Sequence, residues 1–229
     1  MKSLRFNVVF GALLLAIFIG VCLWQIPGIA GAKLSKDEIA RYILAIEKVP
    51  FPPEDKQAVV AHIRAWAEAD DGKPFYMLNL MRYHDKIRTF PGSLPFSGTP
   101  RESNQIYEHA AMPLALKTGS FPLFAGEVQG SGNVMGFGPG EDGWSRVLLM
   151  RYPSRRAFLD LVTDPAYAPI APYKLMALEV ALVPNASELV LPNLWVAVGI
   201  VLLLIFVTTG WVRAAQRPAA ERFNAAGGI

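Results

Sequence analysis

The chain has 229 residues, a formal net charge of +3, one cysteine, 52% hydrophobic residues and 18% charged residues. That length holds one domain of ordinary size plus extra segments, and the composition is more apolar than that of typical soluble chains. A modest charge without a basic stripe argues against a nucleic-acid partner, and a lone cysteine excludes a disulfide framework.

Two segments carry the apolar bias. From Phe6 to Ala32 no residue is charged, and near the other end LPNLWVAVGIVLLLIFVTTGWV is equally free of charge. Each is about long enough to cross the roughly 30 Å hydrocarbon core as a helix. Transmembrane helices are expected over 6–26 and 191–212, with Cys22 inside the first. The first has a second reading. Lys2 and Arg5 precede it and Ala30-Gly31-Ala32 follows, which is the pattern of a cleaved signal peptide. Against cleavage, its apolar stretch exceeds a signal core, and Trp24 sits where an interfacial anchor belongs. Basic residues flank both spans on the outer ends: Lys2 and Arg5, then Arg213, Arg217 and Arg222. Positive flanks stay inside, so both termini are expected in the cytoplasm and the central domain outside it, at the cell membrane. Residues 213–229 then form a cytoplasmic tail.

Between the spans, residues 33–72 read as a helical pair. Ser35 with Glu38 is a capping-box pattern, followed by Ile39, Tyr42, Ile43 and Ile46 at helical spacing. Pro50, Pro52 and Pro53 end that helix, and a second runs from about Glu54 to Ala69 with Val59, Ile63 and Trp66 on one face. His62 on this helix reads as a boundary residue without a ligand role.

Residues 73–186 read as an α+β domain. PFYMLNLMRY is a strand with Phe75, Met77, Asn79, Met81 and Tyr83 on one face and Tyr76, Leu78, Leu80 and Arg82 on the other. Both faces are largely apolar, so it belongs at the centre of a sheet, covered on both sides. TFPGSLPFSGTP reads as a loop, Ser103 to about Lys117 as a helix interrupted near Pro113, and PLFAGEVQG as the next strand. The glycine-rich segment 130–143 joins that strand to SRVLLMRY. It is a hairpin connection, because a phosphate-binding loop would have to open a helix. Ser154 to about Val162 reads as a helix, with Arg155 and Arg156 on its exposed side and Phe158 and Leu161 facing inward. KLMALEVALVP reads as the last strand. Asn185-Ala186-Ser187 matches a glycosylation sequon but lies too near the second span to carry weight.

The order β-α-β-β-α-β is the split arrangement of ferredoxin-like domains, an antiparallel sheet with helices on one face. Its apolar uncovered face implies a second copy of the chain related by a twofold axis. PFYMLNLMRY, the helix bearing Tyr107 and His109, LFAGEV, WSRVLLMRYPSRRAFLDLVTDPAY and ALEVALVP together resemble a family of small proteins of unknown function in the dimeric α+β barrel superfamily. The resemblance covers about Pro74 to Pro184 and implies a ferredoxin-like protomer pairing into a barrel. It brings no activity. The wider superfamily includes cofactor-independent monooxygenases and haem-degrading enzymes. The haem degraders use a strand asparagine, a tryptophan, and a histidine in the helix after it. Asn79 and Trp144 match the first two, but SRRAFLDLV has no histidine and His109 lies in the earlier helix. No cofactor is therefore expected.

For catalysis the candidates are Asn79, His109 and Trp144. His109 is a candidate because histidine as a residue type suits acid–base work, although a helix-surface role is the alternative. Asn79, an amide on an apolar strand face, needs partners: structural ones, or a ligand in a barrel pocket. Tyr107, Arg146, Tyr152 and Tyr167 are candidates to line that pocket, with Arg146 and Glu179 able to pair with each other. His62, His84 and His109 sit on separate elements without metal-ligand spacing, so no metal is expected, and His84 reads as a solvated strand end. Two functions follow. One is a membrane-anchored ligand-binding or assembly module, a homodimer with other membrane proteins as further partners. The other is a small cofactor-independent enzyme, monooxygenase-like, acting on an apolar or aromatic compound near the membrane.

Overall fold

The computed structural model describes residues 32–129, 143–186 and 194–216, with side chains in the last segment only at 200–209 and 211–212, and part of 9–24. The chain divides into two compact units, Met1–Ser187 and Glu188–Ile229.

In the first unit, helix α1 (Lys36–Ile46) begins at the expected capping box. The Glu38 amide donates to Ser35 Oγ at 3.3 Å, and the Ser35 amide donates to Glu38 Oε2 at 2.9 Å. Ile39, Ile43 and Ile46 are buried along its inner face. Helix α2 (Pro53–Glu68) starts with proline, whose missing N–H is harmless in a first turn. Buried Asp70 then ties the pair together, accepting from the Leu34 amide at 2.8 Å and the Gly72 amide at 3.1 Å.

Strand β1 (Phe75–Tyr83) buries Phe75, Met77, Asn79 and Met81 and leaves alternate residues half-buried. It is central, as its sequence implies. The four strands β1, β2 (Phe121–Glu127), β3 (Arg146–Tyr152) and β4 (Leu178–Asn185) form an antiparallel sheet in the order β2-β3-β1-β4. Met77 pairs with Met150 and Pro184, and Leu78 with Leu149 and Val183. The domain is thus α+β with the strand order of the split βαβ arrangement.

Two helical boundaries differ from the sequence reading, those of the helix between β1 and β2 and of the segment before the last strand, while the helix after β3 is as expected. Helix α3 runs unbroken from Pro100 to Lys117 with Pro113 inside it. A second capping box starts it: the Glu102 amide donates to Thr99 Oγ1 at 3.2 Å and the Thr99 amide to Glu102 Oε2 at 2.7 Å. Helix α4 (Arg155–Thr163) follows β3, with Ser154 Oγ accepting from the Ala157 amide at 3.2 Å. The segment expected to open the last strand is instead a short helix, α5 (Ala171–Ala177), which passes directly into β4. Its Lys-Leu-Met-Ala run favours helix, and a continuous apolar stretch has no period that separates helix from strand.

Arg155 and Arg156 are not on an exposed side. Arg155 lies over the Trp66 ring at 5.1 Å, donates to the Trp66 carbonyl and sits 3.7 Å from Asp70. Arg156 pairs with Glu38 at 2.5 Å, and this cation, with the Ser35 bonds, lowers the Glu38 pKa to about 2. The Tyr42 hydroxyl donates to Asp160 at 2.5 Å. These links give α1 and α2 a fixed seat against α4, a position the sequence left open. Below them Trp66, Phe75, Tyr152 and Phe158 form one aromatic cluster, with Phe75 and Tyr152 stacked at 5.1 Å. All of this lies on the helical side of the sheet. The opposite side keeps half-buried Leu78, Leu80, Val147 and Leu149, and exposes Phe124 (57%) and Val183 (41%).

The N-terminal segment also meets this unit. Trp24 stacks on Phe121 at 5.9 Å and its Nε1 donates to the Leu116 carbonyl at 2.9 Å. Gly119, at φ +78°, makes the close turn there: a Cβ would lie 2.5 Å from the Trp24 carbonyl oxygen. The expected first span otherwise falls largely outside the described residues, as does most of the glycine-rich segment 130–143.

In the second unit, helix α6 (Leu194–Gln216) contains the uncharged run, and Thr208 Oγ1 donates back to the Leu204 carbonyl at 2.7 Å. Among the described residues no helix is long and apolar enough to cross a membrane. The described side chains of α6 are fewer than the roughly 20 a span needs.

Candidate functional site

Between the helices and the sheet lies a cavity of about 550 Å³. This falls within the range of small-molecule sites. Most of its wall is apolar: Met77, Leu148 and Met150 from the sheet, Met112 from α3, Phe158 and Leu161 from α4. A small set of polar groups converges on it. β1 contributes Asn79, α3 Tyr107 and Glu108, β3 Arg146 and Tyr152, the turn after α4 Tyr167, and α5 Lys174.

The four expected lining residues, Tyr107, Arg146, Tyr152 and Tyr167, are all on this cavity. The three catalytic candidates do not meet there. Asn79 lines it, whereas His109 is exposed on α3 and neither His109 nor Trp144 is part of the wall. Trp144 precedes β3, with the Arg82 guanidinium 6.0 Å from its ring centroid. Arg146 and Glu179 do not pair either: Glu179 takes Arg82 as its partner. His84 is not a solvated end. It is half-buried, its Nε2 has no hydrogen-bond partner, and burial, with help from the Arg88 charge, lowers its pKa.

One end of the cavity is ionic and fully paired. Arg146 donates through Nε and Nη2 to the two Glu108 oxygens, both at 2.8 Å, and through Nη1 to Glu127 at 3.1 Å. Burial opposes the Arg146 charge, but the Glu108 bonds outweigh it and hold the pKa above its ordinary value. Such a bidentate pair is a fixed fork, and it leaves little charge to offer a ligand.

The other end is different. Asn79 Nδ2 donates to the carbonyls of Met77 at 3.1 Å and Leu148 at 3.3 Å, so the amide has structural partners while the side chain also lines the cavity. With the amide so anchored, its Oδ1 accepts from Lys174 Nζ at 3.3 Å. Lys174 Nζ also lies 5.2 Å from the Tyr107 ring centroid. No carboxylate among the described residues comes within ion-pair distance of it. Burial lowers its pKa to about 8, with the Glu108 charge acting weakly the other way. The Tyr107 and Tyr167 hydroxyls pair at 3.1 Å. Burial raises both phenols, Tyr107 strongly, so they remain protonated donors at neutral pH.

Sequence reasoning missed Lys174 and Glu108. Lys174 was hidden because its segment read as strand, which put it on no particular face. Glu108 had a signal, since it stands next to Tyr107 on a helix already suspected of facing the pocket. Among the described residues no group of three or more His, Cys, Asp or Glu could hold a metal ion.

No family model matches the chain, and no curated protein matches it. Similar solved structures include RPA0582 of Rhodopseudomonas palustris, described as a protein of unknown function. It is 24% identical, with a TM-score of 0.47 over 63% of this chain and 98% of its own. Its methylated form is 25% identical with the same TM-score of 0.47, over 61% and 95%. The cofactor-independent oxygenase SnoaB of Streptomyces nogalater is 12% identical, with a TM-score of 0.35 over 53% and 99%. At these TM-scores the likenesses carry no argument about activity.

Proposed function

We propose that the chain is a membrane-tethered module that holds one small, mostly apolar molecule, with a hydrogen-bond-accepting head group directed at Lys174. The observation that carries this is the cavity: an apolar wall of about 550 Å³ with one cationic side chain that lacks a carboxylate partner among the described residues. A buried charge is normally paired. A ligand oxygen would supply what the protein does not. The monooxygenase-like reading leaned on His109 for acid–base work, and an exposed His109 off the cavity wall removes that support.

The test is a native mass measurement of the full chain purified in detergent. We expect one small molecule per chain, or uptake of added nonanoate or nonanol, and loss of either in Met112→Trp, which fills the cavity. A bare protein that takes up neither compound overturns the reading.

The tether rests on the two uncharged runs and on α6, where every described side chain from Ile200 to Val207 is exposed and apolar. An apolar surface on all sides of a helix calls for lipid. Both termini belong in the cytoplasm by the positive-inside rule. Cysteine labelling in a Cys22→Ser background is expected to reach Ser131→Cys from outside and Ala225→Cys only after permeabilisation. The reverse pattern overturns this orientation. A second copy of the chain is the proposed partner for the open sheet face, giving a homodimeric barrel of the kind the sequence resemblance implies.

A further inference from the structure

Lys174 differs from every cation that pairs in this domain. Arg82, Arg88, Arg101, Lys117, Arg146, Arg155 and Arg156 each have a carboxylate within ion-pair distance. The Lys174 head has an amide oxygen and an aromatic face instead. Those neighbours fix the position of the nitrogen and favour its charged form less than a carboxylate would. We propose that Lys174 is a nucleophile that captures an apolar aldehyde or ketone in the cavity as an imine.

The proposal rests on the reading of the cavity as a small-molecule site and names the class of molecule. Its chemistry balances without a further reactant. The neutral amine lone pair attacks the carbonyl carbon, the N–C bond forms, and the carbonyl π pair moves to oxygen, which takes a proton. The resulting carbinolamine loses that oxygen as water as the nitrogen lone pair closes the C=N bond. Nothing is oxidised or reduced. Both departing hydrogens come from the amine, by way of acid–base groups. The Tyr107–Tyr167 hydroxyl pair on the same wall can donate a hydrogen bond to the carbonyl oxygen, with solvent carrying the protons. Burial of Lys174 supports the step by keeping a substantial share of the amine uncharged near neutral pH. The tethered Asn79 amide turns its Oδ1 toward the attacking nitrogen and accepts from it at 3.3 Å.

The experiment uses the full chain in detergent with nonanal, trapped by sodium cyanoborohydride and mapped by peptide mass. The expected result is one dominant adduct at Lys174, formed at least about tenfold faster than at exposed Lys36 or Lys48. Its rate rises from pH 6 to pH 9, and Lys174→Arg abolishes it. Site mapping on the unsubstituted chain decides the matter even if that variant does not fold. Adducts spread evenly over the surface lysines overturn the proposal. Nonanol separates the two readings: if nonanol occupies the cavity and nonanal is not trapped at Lys174, the imine fails and the binding site stands. If neither is held, both fail.

Discussion

Lys174→Met is expected to make the protein more stable at neutral pH, by on the order of 2 kcal/mol. Burial takes the Lys174 pKa from 10.5 to about 8 in the folded chain. Between those values the unfolded chain binds more protons than the folded one, so wild-type stability rises with pH across about 8 to 10.5. Below pH 8 the full cost of burying the charge is present. A methionine of similar length removes it and has no pH dependence of its own at this position. The change in the Lys174 pKa corresponds to roughly 3.4 kcal/mol, reduced here because the side chain keeps some exposure and Asn79 loses a donor. Urea unfolding followed by tryptophan fluorescence at pH 7 and pH 9.5 checks it. The advantage of the variant should shrink at the higher pH. An unchanged or lowered stability at pH 7 would mean that Lys174 is well solvated. The cavity would then lose the feature on which its function is argued.

Leu149→Lys is expected to convert the proposed homodimer into monomers while leaving each monomer folded. Leu149 sits mid-strand on the open face of the sheet, paired with Leu78 on one side and Phe124 on the other. Leu80, Val147 and Val183 extend the same apolar surface. Burying a large aliphatic side chain contributes about 1.5–3 kcal/mol, and a twofold interface contains each position twice. The loss is therefore roughly 3–6 kcal/mol, on the order of a hundredfold or more in dissociation constant, before the added cost of facing two lysines. Leu44→Lys on α1, at a side chain already 61% exposed, is the control and should leave the association state unchanged. Sedimentation of the full chain in detergent reads both. A monomer at high concentration before any substitution refutes the partner proposal.

The fold was legible wherever local chemistry and pattern agreed. Ser35-x-x-Glu38 named the start of α1, and the alternation through Phe75 to Met81 named both the central strand and its buried face. Legibility failed where one signal masked another. Thr99-Pro-x-Glu102 is as good a cap as Ser35-x-x-Glu38, but it closes a proline- and glycine-rich stretch that read as loop. The run from Lys174 to Pro184 is apolar across a helix–strand junction, so no period marked the change at Leu178. That single misreading concealed Lys174. The tyrosines offered as pocket walls do line the cavity, Tyr152 from the end of β3 and Tyr167 from the turn after α4. His109 and Trp144 misled because residue type alone does not say which way a helix or a strand end faces.

Pro113 lies in the helix that forms one wall of the cavity. It has no N–H to give to the His109 carbonyl, and its ring crowds that turn. Tyr107 and Glu108 stand on one side of this missing bond, and Ala115, with the corner that seats Trp24, on the other. The helix is therefore weakest against bending in the middle of the wall. Its N-terminal half is held instead by side chains, Ser103 on the Tyr173 carbonyl and Glu108 on Arg146, so this wall keeps its place through bonds made outside the ladder of the helix.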